Sequence, residues 1–156
     1  MIIAIASQKG GVGKTSSSIS LAAGLAHKGK KVLLIDIDSQ ENSSKVLLPG
    51  YQQLTPDQTL YRTILKRDGV SPQLPVHKTN IPGLSIVPSH ILLASTDVEL
   101  TTAIDHREAR LKNELDKIKD NYDFVIIGLS SYPFVANPER IHSKRQGRCC
   151  RCPRLL

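Results

Sequence analysis

Residues 7–15 read S-Q-K-G-G-V-G-K-T, set between the apolar run Met1–Ala6 and a segment of helical periodicity. Strand, glycine turn and helix in that order are the context of a phosphate-binding loop, and they point to a parallel α/β fold. A backbone that wraps phosphate oxygens needs glycines so that its N–H groups can aim inward. Lys14 supplies a charge for the β- and γ-phosphates of a nucleotide, and Thr15 supplies a hydroxyl for Mg²⁺. The helix that begins there points the positive end of its dipole at the anion. A glycine-rich turn with incidental lysines would not require the flanking strand and helix.

The rest of the chain alternates in the same way. Apolar strands are expected at Ile2–Ala6, Val32–Ile37, Leu84–Val87 and Tyr122–Ile127. Helical spacing marks Lys14–Lys28, where Ile19, Leu21, Ala22, Leu25 and Ala26 recur and Gly29 ends the run. Further helices are expected at Thr59–Arg67, Ile91–Leu100 and Arg107–Lys119. Ser39–Ser44 reads as a polar loop, and the three prolines of Ser71–Pro82 indicate irregular or edge structure. Strands that are apolar throughout suit a parallel sheet covered on both faces. Ligands in such folds sit beyond the strand C-termini, where the 7–15 loop, Asp36 and Asp38 all fall.

Composition excludes several classes. There is no Trp, with four Tyr and two Phe, so a base-stacking nucleic-acid module is disfavoured. No run reaches the roughly 18 apolar residues of a membrane span. The N-terminus lacks a basic n-region and reads as a core strand, not a signal peptide, so a cytoplasmic protein is expected. The net charge of +7 divides unevenly. Residues 1–127 hold 15 Lys/Arg and 13 Asp/Glu, while 128–156 hold 6 Lys/Arg and one acid, Glu139. All three cysteines, Cys149, Cys150 and Cys152, also lie in that last stretch. Their spacing, with His142, does not fit a standard zinc site.

The loop departs from the usual G-x-x-x-x-G-K-[ST] form. Gln8 stands at the first glycine and an extra lysine, Lys9, precedes Gly10-Gly11. K-G-G-V-G-K-T resembles the deviant Walker A box of the ParA/MinD family of ATPases. V-L-L-I-D-I-D-S-Q at 32–40 resembles that family's strand ending in D-x-D-P-Q, with Ser39 at the proline. Leu84–Ser89, Glu99-Leu100, Arg107-Glu108 and Tyr122–Ile127 keep the family's order and spacing. The likeness covers 1–127, and the small chromosome- and plasmid-partitioning ATPases fit best.

This resemblance implies a P-loop NTPase with a doubly wound, mainly parallel sheet, cut short after the Walker B strand. It implies ATP and Mg²⁺ as cofactors, with Lys9, Gly10, Gly11, Val12, Gly13, Lys14, Thr15 and Ser16 on the nucleotide. Lys9 would reach across a dimer interface to the partner's nucleotide, and Asp38 would act in hydrolysis. Thr15 and Asp36 would lie at the metal. The implied partners are a second copy in an ATP-dependent homodimer, a ParB-like stimulating protein, and DNA bound without sequence preference on a bacterial nucleoid. No membrane partner is implied.

After Ile127 the resemblance stops. The family writes an aspartate, the Walker B acid, then x-P-P, whereas this chain writes Gly128-Leu129-Ser130-Ser131. Residues 128–156 are therefore expected to be an unmatched, disordered basic tail. Permitted codons for Gly128 to Cys150, read one nucleotide later, can yield D-C-P-P-T-L-S-L-L-T-Q-N-A-F-T-A-S-D-R-V-V-V. That peptide has the acid, the prolines and a helix-then-strand pattern, so one extra nucleotide near codon 128 would explain the tail. Hydrolysis by the chain as written is expected to be weak. Two other readings stand beside it. One is a non-hydrolysing nucleotide-binding regulator that pairs with a full-length relative. The other is a nucleic-acid-binding module that uses the basic tail.

Overall fold

The computed structural model describes residues 1–7, 9–65, 73–94, 104–129 and 150–151. Its strands are β1 (Ile2–Ala6), β2 (Val32–Asp36), β3 (His77–Lys78), β4 (Leu84–Val87), β5 (Phe124–Gly128) and β6 (Cys150–Arg151). They form one sheet in the order β3-β4-β2-β5-β1-β6. Every pairing is parallel except β3 with β4. The helices are α1 (Lys14–His27), α2 (Asn42–Leu47), α3 (Leu60–Leu65) and α4 (Ile104–Ile118).

The strands form where continuous apolar runs can be buried on both faces. Val32, Leu33, Leu34 and Ile35 of β2 are all fully buried. Because side chains alternate along a strand, one sequence feeds two cores. Leu33, Ile35, Val125 and Ile127 pack with Leu60 and Ile64 of α3 and Leu111 and Leu115 of α4. Val32, Leu34 and Ile126 pack with Ala22 and Ala26 of α1 and with Leu47 at the end of α2. The sheet is thus doubly wound, as a P-loop fold requires. Truncating any one of these buried Leu or Ile side chains to Ala would cost about 2–5 kcal/mol.

Most expected elements are present with small shifts in their ends. Gly29 closes α1, with its N–H on Ala26 O at 2.9 Å and Lys30 N–H on Leu25 O at 3.2 Å. Leu21, read as part of the apolar face of α1, instead lies on its exposed side. The 71–82 region supplies the antiparallel edge strand β3. One expectation fails: the 39–44 segment is not all loop, because α2 begins at Asn42. N-S-S-K-V-L has poor helix propensity and no apolar period, so tertiary anchoring forms this helix. The expected end of the family-like region at residue 127 also falls within a strand. β5 continues through Gly128, and Leu129 is buried in the core. Most of the remaining tail lies outside the described residues, apart from Cys150–Arg151, which pair with Ile5 and Ala6. Lys66 and Arg67 of the expected 59–67 helix and the 95–100 part of the expected 91–100 helix lie outside them as well.

This order positions the site. β5 lies between β1 and β2, so the loop after β1 and the acids at the end of β2 flank the C-terminal end of β5. Gly128 is in register with Ile5 on one side and Asp36 on the other.

Candidate functional site

The loop after β1 is built from backbone. Gly11 and Gly13 have φ of 72° and 79°, a region that side chains with a Cβ rarely adopt. A Cβ added at Gly10, Gly11 or Gly13 would meet no atom within 4 Å, so this side of the loop is open. Gly13 is the N-cap of α1 and makes no side-chain cap, and the first turn contains no acid. No side chain of the N-cap residue covers the first turn of α1, and the positive end of the helix dipole lies there. Lys14 is buried, and its Nζ donates to Lys9 O at 3.3 Å. Thr15 is half-buried, and Lys9, Val12 and Ser16 are exposed. This donor set, with open space in front of it, fits a phosphate group.

The acids at the C-terminal end of β2 sit in a different environment. Asp36 is buried and its two carboxylate oxygens accept three hydrogen bonds. Asp38 N donates to Oδ1 at 3.2 Å, and Ser44 N and Oγ donate to Oδ2 at 2.9 and 2.7 Å. Burial pushes its pKa up to about 6, against the Ser44 bonds that pull it down. Ser44 Oγ in turn accepts from Ser89 N at 2.9 Å, and Ser89 O accepts from the Tyr51 hydroxyl at 2.9 Å. The network ties the ends of β2 and β4 to α2. Asp38 is half-buried, and its Oδ1 accepts from Gln40 N at 3.0 Å.

Gly128 completes the geometry. A Cβ there would lie 3.4 Å from Ser18 Oγ and 3.8 Å from Ile35 O, facing α1. Among the described residues no group of three or more His, Cys, Asp or Glu side chains could hold a metal ion. None of the described helices is long and apolar enough to cross a membrane.

A family profile described as an AAA domain matches residues 1–133. The Bacillus subtilis sporulation initiation inhibitor protein Soj is 44% identical over 126 residues, 81% of this chain and 48% of Soj. The Myxococcus xanthus chromosome partitioning protein ParA is 39% identical over 126 residues, 81% of this chain and 43% of that protein. The chain belongs to the ParA/MinD family. A Mycobacterium smegmatis cobyrinic acid a,c-diamide synthase, solved with an ATP analogue and magnesium, superposes with a TM-score of 0.66 at 31% identity. That likeness covers 84% of this chain and 51% of the synthase. The chain spans about half the length of the relatives it matches.

Within this ParA/MinD chain the structure brings Lys14, Thr15, Asp36, Asp38 and Gly128 to one end of the sheet. Lys9 stays at the exposed lip of the loop. Sequence reasoning missed Ser44, Ser89, Tyr51 and Glu41, all buried. Serines in a polar stretch read the same whether they are solvated or hold a buried carboxylate. Tyr51 stands in no apolar period, and a glutamate in a polar stretch carries no sign of burial.

Proposed function

We propose that the chain binds ATP with Mg²⁺ as the nucleotide-binding part of a ParA-like partitioning ATPase. One observation carries this: an open loop with left-handed glycines faces an uncapped α1, with Lys14 buried at its base. Gly10, Gly11, Val12, Gly13, Lys14, Thr15 and Ser16 would hold the phosphates, and Lys9 would reach a partner's nucleotide in an ATP-dependent dimer. Mg²⁺, when bound, would neutralise charge on the phosphates. Thr15 would hold it, and Asp36 would act through water because its oxygens already accept protein hydrogen bonds. Asp38 would orient the attacking water. By likeness to the named relatives we extend this to partitioning in the bacterial cytoplasm, with non-specific DNA binding on the nucleoid and a ParB-like stimulating partner.

Gly128 favours a second reading of the same site. Its position takes the family's Walker B acid, so hydrolysis should be near background, with losses of about 10²–10³-fold for one missing positioned charge. The chain would then act as a nucleotide-binding regulator that pairs with a complete relative through Lys9. Calorimetric titration with ATP and Mg²⁺ tests the shared claim. Binding that Lys14→Ala abolishes supports it, and no heat of binding in the parent chain overturns it. Mixing with a complete relative then separates the two readings: ATP-dependent heterodimers without turnover support the regulator, and stimulated turnover by this chain alone overturns it.

A further inference from the structure

The end of the sheet where the strands begin carries an excess of one charge. The turn from α1 into β2 holds Lys28, Lys30 and Lys31, all exposed. Gly29, in the left-handed region at φ 77°, makes that turn tight. Hydrogen bonds tie its neighbours to it. Asp123 N donates to Lys31 O at 2.8 Å, and Lys31 N donates to Asp123 Oδ2 at 2.8 Å. The Met1 ammonium donates to Asp123 O at 2.8 Å. On the other side, Val32 N donates to Gly83 O at 2.8 Å, just before β4. Lys78, exposed on β3, is in register with Ser85 of β4, which is in register with Leu33 of β2. Two strand spacings put it roughly 10 Å from β2.

These lysines differ from others on the surface. Lys45, Lys117 and Lys119 each pair with an acid three or four residues away. Lys28, Lys30, Lys31 and Lys78 form no ion pair with any described acid. Asp120 and Asp123 are the exposed acids nearby, and one Asp123 oxygen already accepts the Lys31 N–H. The negative end of the α1 dipole accounts for Lys28, but its effect does not extend past the last turn to the other three. Tyr122, the neighbouring ring, packs against the core and offers no stacking face. Cations on a rigid edge without a stacking ring suit a phosphate backbone bound without regard to sequence. A membrane surface would call for an amphipathic helix or a lipid chain, and this edge is made of turns and strand ends. We propose that it is a contact surface for the phosphate backbone of duplex DNA, with Lys28, Lys30, Lys31 and Lys78 as its cations. The phosphate-binding loop lies one strand length away, so the surface needs no nucleotide. It stays open when two copies pair over their loops. The DNA binding extended to this chain above has no surface and is tied to an ATP-driven cycle; the present surface rests on that reading only for DNA as the partner.

The test is fluorescence anisotropy of a labelled DNA duplex with the full chain, without nucleotide, across about 50 to 200 mM salt. Lys28→Gln, Lys30→Gln and Lys31→Gln combined remove three charges and keep every backbone bond of the turn. This variant should lose about tenfold or more in affinity at the low-salt end. The slope of log affinity against log salt should also shrink by about 2 to 3, since each phosphate contact contributes about 0.9. Adding Lys78→Gln should remove about one more. Lys45→Gln, Arg62→Gln and Lys112→Gln combined take the same charge from α2, α3 and α4, and should cost less than about threefold. A thermal melt checks that each variant is folded. If the first triple variant is not, Lys30→Gln and Lys78→Gln singly decide, each expected to lower the slope by about one. Equal losses in the two triple variants overturn the surface, because net charge would then carry the binding. No binding by the parent without nucleotide, or binding that needs ATP, overturns it too. Capture by phosphatidylserine vesicles that depends on the same lysines, without duplex binding, overturns DNA as the partner. Because no nucleotide is present, failure of ATP binding sinks the proposed function without moving these results.

Discussion

The loop at 9–15 and the segment at 36–45 meet at the same end of the sheet but are built from opposite materials. The first uses backbone and open space: left-handed glycines, exposed residues and one buried lysine. The second uses buried side chains: Asp36 bonds to Ser44 and to backbone, Tyr51 bonds to the Ser89 carbonyl, Ser44 accepts from the Ser89 N–H, and Glu41 pairs with Lys45. A site that must receive an anion leaves its donors facing outward. A segment that must hold a carboxylate in place satisfies its donors internally. Damage to the first should therefore appear in binding, and damage to the second in stability.

The largest separation is expected at Lys14. Lys14→Ala should weaken ATP binding by about 100-fold or more, since it removes a charge-assisted contact to phosphate. Its thermal midpoint should stay within a few degrees of the parent. Calorimetry beside a thermal melt checks both, and a folding loss as large as the binding loss would erase the contrast between the regions.

The second region should show itself through pH. The Asp36 pKa is raised from 3.8 to about 6 in the folded chain, chiefly by burial. The folded state therefore binds more protons than the unfolded state across that interval, and stability falls as pH rises through it. The contribution is fully present below pH 3.8, lost as pH passes about 6, and of order 3 kcal/mol. Glu41 acts with the opposite sign, because its pKa is lowered and its contribution is lost as pH falls. Subtracting an Asp36→Asn variant isolates the Asp36 slope. A parent-minus-variant difference that stays flat between pH 4 and pH 6.5 would show that Asp36 is not desolvated as described.

Ser44→Ala should follow with a smaller effect. Ser89 N–H loses its acceptor and the Asp36 carboxylate loses a donor, a loss of about 2 kcal/mol. For a chain of this size that is roughly 5 °C in thermal midpoint. The Asp36 titration should also move to higher pH, because a bond that lowers its pKa is gone. ATP affinity should change little. A tenfold loss of affinity would place Ser44 in the binding machinery and join the two regions into one.

How much was legible follows from the same contrast. Backbone sites leave a sequence signature, because glycine spacing and an apolar strand are local requirements. The 7–15 loop, four parallel strands and both faces of the sheet could be read that way. Asp36 and Asp38 were legible as acids at a strand end, but not their different burial, which depends on α2 and on Ser89 far along the chain. α2 itself was missed because its Ser-rich turn is stabilised by Asp36 and not by its own periodicity. Glu41 was missed because its positive φ, 62°, has no local signal in the sequence.

Gly128 yields the smallest expected effect on stability and the sharpest one on chemistry. It sits between Ile5 and Asp36 in the sheet, where both regions converge. An added Cβ would meet Ser18 Oγ at 3.4 Å, an ordinary contact with a side chain that donates to Lys14 O at 2.9 Å. Gly128→Ala should therefore change stability by less than about 1 kcal/mol, the strand-entropy gain offsetting a slight crowding of Ser18. Gly128→Asp adds a carboxylate on the same vector toward Ser18 of α1, one helical turn along from Thr15. It should make ATP affinity more dependent on Mg²⁺, by about tenfold between metal-free and metal-saturated titrations, because a carboxylate can hold the ion's water shell. The alanine variant controls for packing. An equal Mg²⁺ dependence in parent, alanine and aspartate chains would mean that position 128 does not face the proposed metal site, and would remove the basis for proposing weak hydrolysis.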